Sequence, residues 1–192
     1  MSIKKLVILG HPDRTSFCGH LADTYVTAAR AAGHEVSLVA LGELEFDPVL
    51  RLGYKQIQPL EPDLLQLQEA IREAQQLVFI YPNWWGSMPA LLKGMFDRLL
   101  LPGFAFHYQS PDSIRWQRLL SGRTAQAIVT MDTPGWYYRW FYRWAGHHQL
   151  KRCILDFCGI KPVRFLTLDS IKHSTDSRRA RWLEAVRQLA SQ

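Results

Sequence analysis

Apolar residues in this chain gather in five short segments, two of them unbroken (Leu6–Leu9 and Leu77–Tyr81) and three interrupted by one or two polar residues, with stretches of helical period between most of them. The first run, Leu6-Val7-Ile8-Leu9, ends at Gly10 and offers no polar side to solvent, which predicts a strand buried on both faces. Thr15 or Ser16 can cap the helix that follows, in which Leu21, Tyr25, Ala28 and Ala32 share a stripe and Gly33 supplies the stop. Val36 to Leu41 reads as a second strand, and Gly42 to Glu61, which lacks a clear period, as a long connection. Pro62 suits a first helical turn, and Leu64, Leu67, Ile71 and Ala74 form the next stripe. Leu77 to Tyr81 is a third strand, cut off by Pro82. Met88, Leu91, Leu92, Met95, Phe96, Leu99 and Leu100 then keep helical spacing until Pro102-Gly103. Ala125 to Met131 is a fourth strand. An aromatic-rich segment and a helix to Phe157 follow, closed by Gly159. Val163 to Leu168 is a fifth strand, and Leu183, Val186 and Leu189 mark a last helix.

Strands that alternate with helices in this way predict an α/β fold: a five-stranded parallel sheet with helices on both faces, built as one domain over residues 1–192. Such sheets bind ligands beyond the carboxyl ends of their strands, where the strand order reverses. The loops Gly10–Phe17, Pro82–Ser87 and Thr130–Tyr138 are therefore the places to look for chemistry.

Composition narrows the picture. Apolar residues at 47% and charged residues at 21% are ordinary for a globular protein and exclude a disordered or fibrous chain. The net charge of +6 suits an anionic ligand. Lys and Arg are scattered, however, and the densest groups, Lys151-Arg152 and Arg178-Arg179-Arg181, read as solvated helix faces rather than a nucleic-acid surface. Cys18, Cys153 and Cys158 are odd in number and include no C-x-x-C pair, which points to a reducing compartment. Lys4-Lys5 precede an apolar run too short for a secretory core, and no other stretch is long enough to span a membrane, so a cytoplasmic protein is expected.

The first loop, Gly10-His11-Pro12-Asp13-Arg14-Thr15-Ser16-Phe17, runs from a strand into a helix start. Free amides and the helix dipole favour an anion there, and Thr15, Ser16, His11 or Arg14 can add donors. It is neither G-x-G-x-x-G nor a P-loop, and an ordinary capped turn explains it equally well. The second loop, Tyr81-Pro82-Asn83-Trp84-Trp85-Gly86-Ser87-Met88-Pro89, sets two large flat side chains at a strand end beside a glycine that lets backbone approach a ligand. A stacked aromatic heterocycle would satisfy it; so would burial of both indoles in a core or between subunits.

The run from Tyr81 through Lys93-Gly-Met-Phe-Asp-Arg98, with Gly103-Phe-Ala-Phe-His-Tyr108 behind it, resembles the NAD(P)H:quinone oxidoreductases of the DT-diaphorase type. That group includes bacterial quinone reductases, drug-activity modulators and ancillary subunits of potassium-efflux systems. His11-Pro-x-Arg-Thr-Ser-Phe17 and Phe157-Cys158-Gly159-Ile160 agree with it. The resemblance implies a flavodoxin-like fold, a homodimer with a shared active site, and a flavin reduced by NAD(P)H and reoxidised by a quinone or similar aromatic acceptor. It also implies site residues. His11, Thr15, Ser16, Phe17 and Cys18 would hold the flavin phosphate and ribityl chain, and Pro82, Asn83, Trp84, Trp85 and Gly86 would lie against the ring system. Thr130, Met131, Asp132 and Thr133 stand where the family has a Thr-Thr-Gly-Gly-like turn; the missing glycine pair implies a different hold on the ring's far edge. Tyr137 or Tyr138, with His147 or more specifically His148, match the family's assisting Tyr and His.

Residues Trp136 to Trp144 carry seven aromatics in nine positions, expected partly to wall a substrate pocket and partly to meet a second subunit. His147 and His148 are adjacent, a poor arrangement for one metal ion, and no metal site is expected. The chain has no long C-terminal extension of the kind larger family members carry, which favours FMN over FAD. Rival readings are a one-electron carrier, a regulatory subunit docked on a membrane transporter, and a reductase of azo or nitro compounds.

Overall fold

A computed structural model describes residues 2–110 and 113–192. β1 (Lys4–Leu9) leads through the first loop into α1 (Phe17–Ala31), then β2 (Glu35–Ala40). A single 3-10 turn opens the long connection to α2 (Pro62–Glu73), and β3 (Gln76–Pro82) and α3 (Ala90–Leu99) follow. A short hairpin of β4 (Phe106–Tyr108) and β5 (Trp116–Arg118) precedes β6 (Thr124–Thr130). The next segment comprises α4 (Gly135–Trp140), α5 (Ala145–His148), a π-helical stretch at Gln149–Leu155 and α6 (Asp156–Cys158). β7 (Val163–Leu168) and α7 (Asp176–Ala190) complete the chain.

The main sheet is five-stranded and all-parallel, in the order β2-β1-β3-β6-β7, as the sequence predicts. The order reverses at β1, which lies between β2 and β3, so the loops leaving β1 and β3 open side by side at the carboxyl edge. Strand alternation divides the interior in two. Leu6, Ile8, Leu77, Phe79 and Ala127 face a large aromatic core with α2, α3, the hairpin and the α5–α6 segment. Val7, Leu9, Val78, Ile80 and Ile128 face a smaller core with α1 and α7. No helix among the described residues is long and apolar enough to cross a membrane.

Three elements differ from the expectation. The hairpin between Gly103 and Ala125 has strands of three residues, too short to show a period of two, and was not legible as strand. α3 starts at Ala90 rather than Met88, because Pro89 is an extended residue just ahead of the first turn. The expected continuous helix before Gly159 is broken at Arg143 and Trp144, whose φ angles of 50° and 56° are left-handed and cannot continue a right-handed helix.

The long connection is fastened by a buried cation. Arg98, fully buried on α3, donates to the carbonyl of Pro59 (2.8 Å), to the Glu61 carboxylate (2.9 Å and 3.1 Å) and to the carbonyl of Asp47. Its fork thereby holds both ends of a segment that has no regular structure of its own to satisfy its carbonyls.

Candidate functional site

Ser16 is the cap of α1: its Oγ accepts the Gly19 N–H at 3.3 Å. The amides of Phe17 and Cys18, in the first helical turn, have no acceptor within the helix and point out of its positive end. The loop ahead is folded on itself. His11 Nδ1 accepts the Asp13 N–H at 2.9 Å, which leaves Nε2 as the ring nitrogen able to donate outward. The Asp13 carboxylate accepts both the Thr15 hydroxyl and the Thr15 N–H, each at 2.7 Å. Those bonds, the hydroxyl first, hold the Asp13 carboxyl below the usual carboxylate range. Arg14 turns away to Gly19 O and Asp23. The donors expected from Thr15 and Arg14 are thus committed to the loop, whereas Ser16 and the first-turn amides face the cleft.

Two glycines set this loop by contact of main chain with main chain. A Cβ added at Gly19 would overlap the carbonyl oxygen of Arg14 and stand 2.9 Å from its carbonyl carbon. One added at Gly42 would overlap Pro12 O and stand 2.7 Å from Pro12 C. Neither residue stands out in the sequence; for Gly19, its place on the buried side of a capped helix was the available signal.

The second loop closes in a two-residue turn. Trp84 N donates to Ser87 O at 2.9 Å and Ser87 N to Trp84 O at 3.0 Å, with Trp85 and Gly86 at φ of 52° and 81°. These are the angles of a type I′ turn, which suits Gly86 and strains Trp85 by about 1 kcal/mol. The pair of hydrogen bonds leaves the central amides of Trp85 and Gly86 free for another acceptor. The Trp85 indole is fully exposed at the tip, and Trp84 meets the His11 ring edge-on at 5.5 Å.

Loops one, two and three enclose a cleft of about 200 Å³ lined by His11, Ser16, Phe17, Cys18, Pro82, Asn83, Trp84, Thr130, Met131 and Asp132, with Ile171 completing one side. Ile171 escaped the sequence reading because it arrives from beyond the fifth strand, held by its N–H on Met131 O at 3.2 Å. Thr15, Trp85, Gly86 and Thr133 flank the cleft without lining it. Beneath the floor, the Cys18 thiol meets the Thr130 hydroxyl at 3.2 Å. Burial raises its pKa to about 11, so the sulfur is a packed thiol rather than a nucleophile.

The aromatic assistants separate into two groups. Tyr138 is buried; its hydroxyl donates to Gly86 O at 2.9 Å and accepts the Gly146 N–H at 3.0 Å, a brace between the second loop and α5. Tyr137 is half-buried and stacked on Phe141 at 4.9 Å, and His148 is exposed. His147 is the interior histidine, bonded to the Thr167 hydroxyl at 2.9 Å and packed on Phe165. Burial, with the neighbouring His148, lowers its pKa to about 4. The unfolded chain takes up this proton near pH 6.5 and the folded chain only near pH 4, so stability present above pH 6.5 is lost as the pH falls through that window. Denaturant titrations at pH 7 and pH 4 should show wild type losing about 3 kcal/mol more than His147→Phe. Equal losses would mean that His147 titrates normally.

The donor set suits a phosphorylated flat heterocycle such as a flavin: an anion seat at a helix start, an indole wall, and turn amides at the rim. A second, apolar hollow of about 600 Å³ opens next to Gln149, whose Oε1 accepts from Ser87 Oγ at 2.5 Å. Phe106, Tyr108, Cys153, Ile154 and Phe157 line it.

Comparison with known proteins agrees with this fold. The family described as having the flavodoxin-like fold matches residues 4–192. An NAD(P)H oxidoreductase of Haemophilus influenzae, named as uncharacterized, is 28% identical over 190 residues, covering 95% of this chain and 92% of that protein. Rat NAD(P)H dehydrogenase [quinone] 1 is 27% identical over 215 residues, covering 96% of this chain and 75% of its own length. Among solved structures, a Streptococcus mutans protein superposes with a TM-score of 0.80 at 30% identity, covering 98% of this chain and 99% of the other.

Proposed function

The chain belongs to the flavodoxin-like fold family, and from that premise we propose that it is a flavin-dependent NAD(P)H oxidoreductase that reduces quinones or similar small aromatic acceptors. One observation carries the reading: an open helix N-terminus and an exposed indole face each other across a cleft at the point where strand order reverses.

Ser16 and the amides of Phe17 and Cys18 would take the phosphate, with His11 Nε2 as a further donor. The ring system would lie along Pro82, Asn83 and Trp84, its edge toward the amides of Trp85 and Gly86. Thr130, Met131, Asp132 and Thr133 would border the opposite edge. Bound flavin supplies the hydride and electron chemistry. The chain's part is orientation and exclusion of water: Trp84 walls one side, and the Tyr138 brace fixes the turn that presents the rim amides. With the Tyr138 hydroxyl committed, Tyr137 and His148 are the candidates for delivering a proton to the acceptor. A single helix start offers one phosphate seat, which favours FMN over FAD. We assign the apolar hollow to the contact between two copies of the chain, and the reducing cytoplasm to a protein whose three cysteines are all free.

The test is the absorbance spectrum of the purified protein, mass analysis of any released yellow compound, and NADH or NADPH oxidation with menadione, an azo dye or a nitroarene as acceptor. The reading predicts stoichiometric FMN and acceptor-dependent oxidation. Colourless protein that takes up neither FMN nor FAD on titration would overturn it.

A further inference from the structure

α4 ends in rings that the fold does not use. Tyr138 alone is buried, while Trp136, Trp140, Phe141 and Tyr142 keep 68%, 73%, 70% and 43% of their surface exposed. These side chains are organised rather than loose. Phe141 stacks on Tyr137 at 4.9 Å, and Tyr142 meets Tyr137 at 5.7 Å. The left-handed pair Arg143 and Trp144 then turns the chain back into the core, where Trp144 packs against His147 at 4.7 Å. The result is a projecting aromatic ridge of a size that soluble proteins keep for a partner.

Its charge identifies the partner. From Thr133 to Leu155 the chain carries Arg139, Arg143, Lys151 and Arg152 and no Asp or Glu, although Asp132 and Asp156 bracket the stretch. All four cations are exposed, and among the described residues none is in an ion pair. The Arg139 guanidinium lies over the Trp140 ring at 5.3 Å, so charge and aromatic surface share one face. A second copy seated here by twofold symmetry would bring two such cationic patches face to face, with no carboxylate between Thr133 and Leu155 to pair them. A nucleic-acid strand needs a groove, and these rings project. Trp and Tyr flanked by Arg and Lys match the headgroup boundary of a bilayer, where amphipathic rings settle and anionic lipids attract cations.

We propose that the α4 ridge docks the protein on anionic membrane surfaces, with Trp136, Trp140 and Phe141 entering the headgroup layer and Arg139 and Arg143 meeting lipid phosphates. The docking does not depend on flavin. Tyr142 lies beside Gly86, so docking would set the second loop next to the phase in which apolar quinones dissolve.

The experiment is co-sedimentation of the full-length protein with vesicles of phosphatidylcholine alone or mixed with phosphatidylglycerol, at low and high salt. We expect pelleting with the mixed vesicles only, a blue shift of tryptophan emission, and release by salt. Arg139→Gln with Arg143→Gln should lower partitioning roughly thirtyfold, and Trp136→Ser with Trp140→Ser about tenfold. The wild-type lipid and salt dependence tests the proposal even if a variant misfolds. No pelleting, or pelleting indifferent to lipid charge, would overturn it. So would a fall in solution mass of the tryptophan variant, which would place the ridge between copies, or retention of a single-stranded oligonucleotide in place of vesicles. Sedimentation reads binding whether or not turnover is found, so this inference and the proposed activity fail separately.

Discussion

Replacing Gly19 by Ala should weaken flavin binding by about a hundredfold or more. The added methyl would occupy the position of the Arg14 carbonyl, so either the loop from His11 to Ser16 moves outward or α1 shifts along its axis. Both displace Ser16 and the first-turn amides from the phosphate. Loss of one charge-assisted hydrogen bond and of the helix-end interaction together costs about 3 kcal/mol, or about two decades in Kd. Quenching of flavin fluorescence on titration measures this directly, with circular dichroism to establish that the variant is folded. Gly42→Ala, which presses on Pro12 from the far side, should act in the same direction. If both bind as tightly as wild type, the phosphate does not sit at the start of α1.

The second large effect concerns stability. Arg98→Leu removes a side chain that, alone among the described residues, joins α3 to Asp47, Pro59 and Glu61 at once, and leaves their carbonyls and carboxylate without that donor. Removing one member of a buried ion pair costs about 3–5 kcal/mol; Glu61 keeps 29% exposure and can partly rehydrate, so the lower end, about 3 kcal/mol, is expected. For a chain of this size that lowers Tm by about 6–12 °C in a thermal melt. Arg98→Lys retains the charge but not the fork, and should recover only part of the loss. A Tm unchanged in Arg98→Leu would show that the connection is held by its apolar contacts alone.

The parallel sheet was legible in the sequence because its inner strands β1, β3 and β6 are buried on both faces and leave largely apolar segments, while the edge strands β2 and β7 are more mixed, and each of the five segments became a strand of the sheet. The hairpin was hidden because its pairing is stabilised by tertiary contacts, such as the Trp116 indole donating to Phe157 O at 2.9 Å, and not by a pattern of its own. At the site, residue type disclosed which loops gather. It could not disclose which donors a loop spends on itself. Thr15 and Arg14 carry suitable chemistry yet are taken by Asp13 and Asp23, and Tyr138 carries a suitable hydroxyl yet turns it inward to Gly86. Ile171 and the two glycines matter through proximity, which spacing along the chain does not encode.

The divided interior has a consequence for dynamics. The anion seat belongs to the layer of α1 and α7, whereas the indole turn rests through Met88 and Tyr138 on the layer of α2 and α3. A molecule spanning the cleft therefore adds a further link between two halves that lie on opposite faces of the strands and already touch at the His11–Trp84 contact. Amide hydrogens on both layers should then slow their exchange in concert when the cleft is filled, making the ligand part of the protein's cooperativity as well as its cargo.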